Sequence, residues 1–143
     1  MLHNDGDFSP AAEYLLEQWP SILKGWGFTK TAGRIHALLL ARPKALTADE
    51  IMGDLNISRG STSVQLAQLH NTGLVTRLKI LGDRHEKFTA IRDAESVKSA
   101  LTRHLRTQTT QPLNNMTNTL SAISGKSDLH WLDTIQGLGT LPR

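Results

Sequence analysis

Between Leu55 and Gly82 the chain carries no Asp and no Glu, although Arg59, Arg77 and Lys79 fall inside that window and Arg84, His85 and Lys87 follow it closely. Cations without acids suit one chemistry above others, attraction and hydrogen bonding to a polyanion. Catalytic chemistry is poorly served by comparison. There is no cysteine, hence neither a disulfide framework nor a thiolate metal site. The six histidines (His3, His36, His70, His85, His104 and His130) include no i, i+4 pair and no cluster at zinc-ligand spacing. Gly25-Trp26-Gly27 reads as a helix stop, not a phosphate cradle, and no nucleophile elbow is present. These residues predict no enzyme, no cofactor and no metal site.

The distribution of charge agrees. Residues 24–106 hold fourteen of the sixteen Lys+Arg and seven of the thirteen Asp+Glu, a net +7, while the two ends together carry −4. A basic centre between acidic ends points to a polyanion partner, although an ordinary solvated surface gives the same count. Hydrophobic residues make up 38%, and the longest apolar run, Ala37 to Ala41, is five residues. A membrane span needs roughly 20, so no membrane partner is expected. The stretch Met1 to Asp7 lacks the basic start and apolar run of a secretory signal. With no cysteine either, the expected compartment is the cytoplasm.

The elements that must position these cations follow from period and punctuation. Tyr14, Leu15, Ile22 and Leu23 predict a helix over 11–26, which Pro20 should kink or split in two. Thr29 or Thr31 can cap a second helix to about Arg42, with Ile35, Leu38 and Leu39 on its apolar face and Pro43 as its stop. Thr47-Ala48-Asp49-Glu50 is a capping box that opens a short helix over 48–55. Asn56 breaks it, Ile57 plugs the turn, and Ser58 caps a helix over 59–72 that Gly73 ends. Two helices joined by about three residues make a helix-turn-helix.

The period then drops to 2. Residues 74–80 and 86–92 read as strands around a turn at 81–85, a β-hairpin. Asp93 caps a further helix with Val97, Leu101 and Leu105 on one face. Pro112 should open another, carrying Leu113, Met116, Leu120 and Ile123 in a narrow stripe and ending at Gly125. A last short helix from Ser127 or Asp128 carries Leu129, Leu132, Ile135 and Leu138. The predicted fold class is mainly α with a small β-hairpin: a winged helix-turn-helix over 29–93, with additional helices over 1–28 and 94–143.

At about 100° per residue, Thr62, Leu66, Leu69 and Gly73 share one face of helix 59–72. The opposite face holds Gly60, Ser61, Ser63, Val64, Ala67 and Gln68, which are small or polar and include no acid. Small side chains let a helix backbone come close inside a major groove ~12 Å wide, and a carboxylate there would repel phosphate. Ser58 and Arg59 lie at the helix N-terminus, where free N–H groups favour phosphate and base-reading residues usually stand. In the hairpin Lys79, Arg84, His85 and Lys87, with Arg77 and Arg92, outnumber Asp83 and Glu86, and Asp83 can orient Arg84 through a charge-assisted hydrogen bond. The predicted contacts with double-stranded DNA are Ser58, Arg59, Gly60, Ser61, Ser63, Val64, Gln68, Lys79, Arg84, His85 and Lys87. The competing reading is a winged-helix module that meets another protein, for which an apolar surface would replace the basic one.

The ordered set Gly33-Arg34-Ile35-His36-Ala37-Leu38-Leu39, Leu46-Thr47-Ala48-Asp49-Glu50-Ile51, Ile57-Ser58-Arg59-Gly60-Ser61-Thr62-Ser63, Gly73-Leu74-Val75 and Gly82-Asp83-Arg84 resembles the GbsR-like branch of the MarR-type winged-helix transcription regulators. The resemblance covers about residues 25–95. It implies a homodimer on a pseudo-palindromic operator, helices from both chain ends as the dimerisation surfaces, residues 58–63 as the start of the recognition helix, and Arg84 as part of the wing. Repression is the expected sign of control. A dimer also follows from geometry, because two-fold pairing sets two recognition helices one DNA turn, ~34 Å, apart. Trp19 and Trp26, seven residues apart, share a helix face, and Trp131 lies near the end. Such aromatics can hold a cationic effector by cation–π attraction, or fill a dimer core, which is the commoner use.

Overall fold

In the computed structural model, which describes residues 8–123 and 125, helix ends fall where local hydrogen bonding places them. The Ser9 hydroxyl accepts from the Ala12 N–H and starts α1 (Pro10–Gly25). Thr29 does the same for Ala32 at the head of α2 (Lys30–Ala41). A two-residue strand, β1 (Leu46–Thr47), leads into α3 (Ala48–Leu55), whose capping box is complete: Thr47 Oγ1 accepts from Glu50 N–H, and the Glu50 carboxylate accepts from Thr47 N–H. Asn56 ends α3 in the left-handed region at φ 53°, tolerable for Asn, and α4 (Arg59–Thr72) begins three residues later. Gly73, at φ 92°, turns the chain into β2 (Val75–Lys79), which returns as β3 (Glu86–Ala90). Asp93 Oδ2 accepts from both the N–H and the hydroxyl of Ser96 and starts α5 (Ala94–Ile123).

The sheet is antiparallel with order β1-β3-β2, so the hairpin carries a third strand that the sequence reading had absorbed into the α3 cap. Leu46 pairs with Phe88, and Val75 with Ala90. The split allowed at Pro20 and the new helix start expected at Pro112 are absent. α1 runs unbroken through Pro20, and α5 runs unbroken through Pro112, where a new helix had been expected. A proline removes only its own N–H bond, and the turns on either side keep theirs. The short helix expected after Gly125 lies outside the described residues.

The chain divides into two compact units, Met1–Thr102 and Arg103–Arg143. In the first, Ile35, Leu38 and Leu39 of α2 join Ile51, Leu66, Leu69, Leu74, Val75 and Phe88 in one core. Glycine matters most where α1 meets α2. A Cβ on Gly33 would lie 2.6 Å from the Pro20 Cα, so the missing side chain is what lets the two backbones approach. Nearby, the Trp19 indole N–H donates to His36 Nδ1 at 2.8 Å, and the His36 ring is fully buried. Burial pushes His36 down to about 4, which keeps it neutral, with its proton on Nε2. In the second unit Met116 and Ile123 are exposed and Leu120 is half-buried.

Arginines tie off helix ends inside the first unit. Arg92 Nη2 donates to the carbonyls of Leu39, Leu40 and Arg42 at 3.0, 3.1 and 2.7 Å, which gives partners to two of the last carbonyls of α2 and to that of its C-cap. Arg34 donates to Leu55 O at 2.7 Å at the end of α3. Arg42 is buried beside Asp54 at 3.9 Å with its guanidinium over the Phe8 ring. Arg92, counted above among the wing cations, is therefore a structural clamp.

Two outcomes follow. Gly33→Ala gains about 1 kcal/mol of helix propensity but forces α1 away from α2, for a net loss of about 2 kcal/mol, read as a lower urea midpoint at unchanged slope. The unfolded state binds a proton at His36 near 6.5 and the folded state only near 4, so stability falls as pH drops through that window. Wild-type protein should lose about 2 kcal/mol from this residue between about pH 7 and pH 5, and His36→Phe should show a correspondingly flatter profile.

Candidate nucleic-acid interface

Burial of one side of α4 decides what its other sides can touch. Thr62, Leu66 and Leu69 are buried, and the Thr62 hydroxyl donates to Ser58 O at 2.7 Å, so the one polar member of that face is satisfied. Ser58 itself is the N-cap, accepting from Ser61 N–H at 3.1 Å. The remaining surface falls into three strips. Gly60, Val64 and Asn71 point straight outward, with Val64 64% exposed. Arg59, Ser63 and Ala67 border a groove shared with the hairpin. On the far flank Gln65 accepts a hydrogen bond from the Thr29 hydroxyl at 2.9 Å, and Ser61 and Gln68 are half-buried.

The groove is about 420 Å³ and is closed by the α4-facing side of the hairpin: Arg77, Lys79, Arg84, His85, Glu86 and Phe88. Strand alternation decides the membership. Arg77 and Lys79 stand opposite Phe88 and Glu86, on the side that also carries buried Val75 and Ala90. Lys87 stands opposite Leu78 on the other side of the hairpin. Of the predicted contact residues, the structure thus gathers Arg59, Ser63, Lys79, Arg84 and His85 around one groove and sets Gly60 and Val64 on the adjoining outer face. It does not bring Lys87 to them, and Ser61 and Gln68 lie on the flank. Trp19 and Trp26 are half-buried against the core of their unit, and Trp131 lies outside the described residues.

Two carboxylates also line the groove, and each is tied to an arginine. Asp49 Oδ1 accepts from Arg59 Nη2 at 2.9 Å, and Glu86 lies 3.4 Å from Arg77. Lys79 and Arg84 form no salt bridge among the described residues. Sequence reasoning missed Asp49 and the groove role of Arg77. The Asp49 link spans ten residues and two helices, while the position of Arg77 could have been found by counting strand alternation outward from Val75.

The wing tip is a hydrogen-bonded turn. Asp83 N–H donates to Ile80 O at 2.9 Å across a turn whose third residue, Gly82, sits at φ 89°, the conformation a type II turn requires there. Asp83 does not orient Arg84 as expected. Its Oδ1 accepts from the His85 N–H at 3.0 Å and lies 3.7 Å from His85 Nδ1. The His85 N–H holds the Asp83 carboxyl below the usual carboxylate range; desolvation opposes it, and the charges of Lys87, His85 and Lys79 help. Arg84 is left exposed at the tip. Leu78, Ile80 and Leu81 are also exposed there, Leu81 completely.

Element order, the three-residue link between α3 and α4, and the hairpin with its third strand define a winged helix-turn-helix protein. Residues 37–77, from within α2 into β2, match the model of a family described as bacterial regulatory protein, arsR family. No curated protein matches the chain in sequence. Among solved structures, one described as a transcriptional regulator aligns at 24% identity over 90% of this chain and 88% of its own, with a TM-score of 0.67. A mutant of S. aureus MepR bound to an oligodeoxyribonucleotide aligns at 17% identity over 89% and 88%, TM-score 0.48. NadR in complex with 4-hydroxyphenylacetate aligns at 23% identity over 92% and 89%, TM-score 0.47. No helix among the described residues is long and apolar enough to cross a membrane, and no group of three or more His, Asp or Glu among them could hold a metal ion.

Proposed function

We propose that the protein is a transcription regulator that binds double-stranded DNA, with α4 in the major groove and the wing on the adjoining backbone. The observation that carries this reading is the groove between the acid-free side of α4 and the hairpin, where Arg59, Lys79, Arg84 and His85 converge. A phosphate strand entering it meets charge-assisted donors from both walls. The outward strip of Gly60 and Val64 then faces the base edges, with little side chain to hold the backbone away.

The finer features belong to the same proposal. The chain acts as a homodimer on a pseudo-palindromic site, with residues 1–28 and 94–143 supplying the pairing surfaces and 29–93 the DNA-binding domain. The exposed Met116 and Ile123 support a partner for α5. Repression, work in the cytoplasm, membership of the GbsR-like branch, and a small-molecule effector near Trp19 and Trp26 complete it. The resemblance of the motifs supports the branch, and the half-buried indoles are the only support for an effector. One observation favours a different partner, since exposed Leu78, Ile80 and Leu81 would suit a protein surface.

Titrating labelled duplex from a random-sequence pool against the protein at several salt concentrations tests the proposal. Wild-type binding should weaken linearly in log–log form as salt rises. Arg84→Ala should weaken binding to every duplex and reduce the slope by about one, whereas Lys87→Ala should leave the slope unchanged. Wild-type protein with no salt-dependent duplex binding would hand the fold to the protein-contact reading.

A further inference from the structure

We infer that Asp49 is a positioning residue for Arg59, and that this pair sets how sharply the interface separates a preferred duplex from any other. The inference rests on the duplex-binding reading above and adds a residue that reading does not use. Arg59 is the first residue of α4, and Asp49 stands in the first turn of α3, across the helix-turn-helix connection. Their 2.9 Å hydrogen bond lies in the groove wall. The side chains are 71% and 63% exposed, so burial does not force them together, and the pair adds little to the stability of the fold.

Its effect appears when DNA arrives. A guanidinium carries five N–H donors in a fixed plane. One bond to Asp49 fixes that plane from a second helix and leaves the other donors for a base edge or a phosphate. Without the bond, a long exposed arginine samples many rotamers and must be ordered on binding. The same carboxylate sits in a groove that Arg77, Lys79, Arg84 and a second carboxylate, Glu86, also line, and it repels any phosphate that enters. A duplex that engages the oriented fork gains from the pair. A duplex that offers only phosphates meets the repulsion without that gain. Discrimination built on an unfavourable element of this kind acts against the wrong partner more than for the right one.

Glu86 supplies the control. It is a carboxylate in the same groove, but it is paired with a wing arginine and not with one on α4.

The experiment uses full-length protein and two probes: a duplex enriched from a random pool by wild-type binding, and the unselected pool. Asp49→Asn should raise affinity for the pool roughly threefold while leaving affinity for the enriched duplex level or lower, so the ratio between the two falls. Glu86→Gln should raise affinity for both probes alike and keep the ratio. Arg59→Lys retains the charge and loses the fork, so it should weaken the enriched duplex alone. Added to Asp49→Asn it should cause no further loss, because the two act as one unit. Thermal melting checks that each variant is folded. An Asp49→Asn protein that gains equally on both probes, or an additive double variant, overturns the positioning role while leaving DNA binding intact. A wild-type protein that binds neither probe in a salt-dependent way ends the underlying reading, and that result is read before any variant is made.

Discussion

The burial of Thr62, Leu66 and Leu69 against the rest of the core is the constraint on which the interface depends. It fixes the rotation of α4 about its own axis, and a helix with one side fixed has only its remaining strips to offer. Packing of α4 on α2, α3 and β2 then sets its distance from the hairpin, so the groove is a consequence of core packing and not of any attraction between the cations that line it. Those cations repel one another. They are held close because Leu66 and Phe88, at the floor of the groove, belong to the hydrophobic cluster.

What the sequence revealed and what it hid divide along the range of the interactions. Thr29, Thr47 with Glu50, Ser58, Gly73 and Asp93 all stand at helix ends as their residue types predict, because a cap is a bond between neighbours three residues apart or fewer. Pro20 misled for the opposite reason. Its helix packs against α2 at Gly33, thirteen residues later, where the missing side chain leaves room for the Pro20 backbone, a long-range fit that local residue types do not announce. The partnership of Asp83 was misassigned between adjacent residues, since both Arg84 and His85 were in reach and the turn geometry selected the His85 backbone. Lys87 looked equivalent to Lys79 by charge, and strand alternation put it on the other side.

Net charge was the least faithful guide. The basic centre counted Arg34, Arg42 and Arg92 among its fourteen cations, yet these three bind backbone carbonyls or a buried aspartate and ring inside the first unit. Arg59 and Arg77 carry carboxylate partners as well. The net +7 therefore overstates the positive field available to a ligand, and the useful quantity is the short list of groove cations free of a salt bridge. What survives is local: Lys79 and Arg84, on a hairpin whose tip geometry is set by Gly82 and by the hydrogen bonds of Asp83.

The bonded turn at the tip has an energetic meaning. A charged loop that must be ordered when it meets a phosphate gives up part of its electrostatic gain as lost entropy, about 0.5–1.5 kcal/mol for each long side chain immobilised. A closed turn, a glycine already in the left-handed region and an aspartate bonded to the backbone N–H two residues on reduce the backbone share of that loss beforehand. The side-chain share remains for Lys79 and Arg84. For Arg59 part of it has been met in advance by Asp49, in exchange for a negative charge beside the phosphate path. Wing and helix thus face the same problem with different solutions: the wing fixes its backbone and leaves its cations free, while α4, whose backbone is fixed by the core, restrains the cation itself.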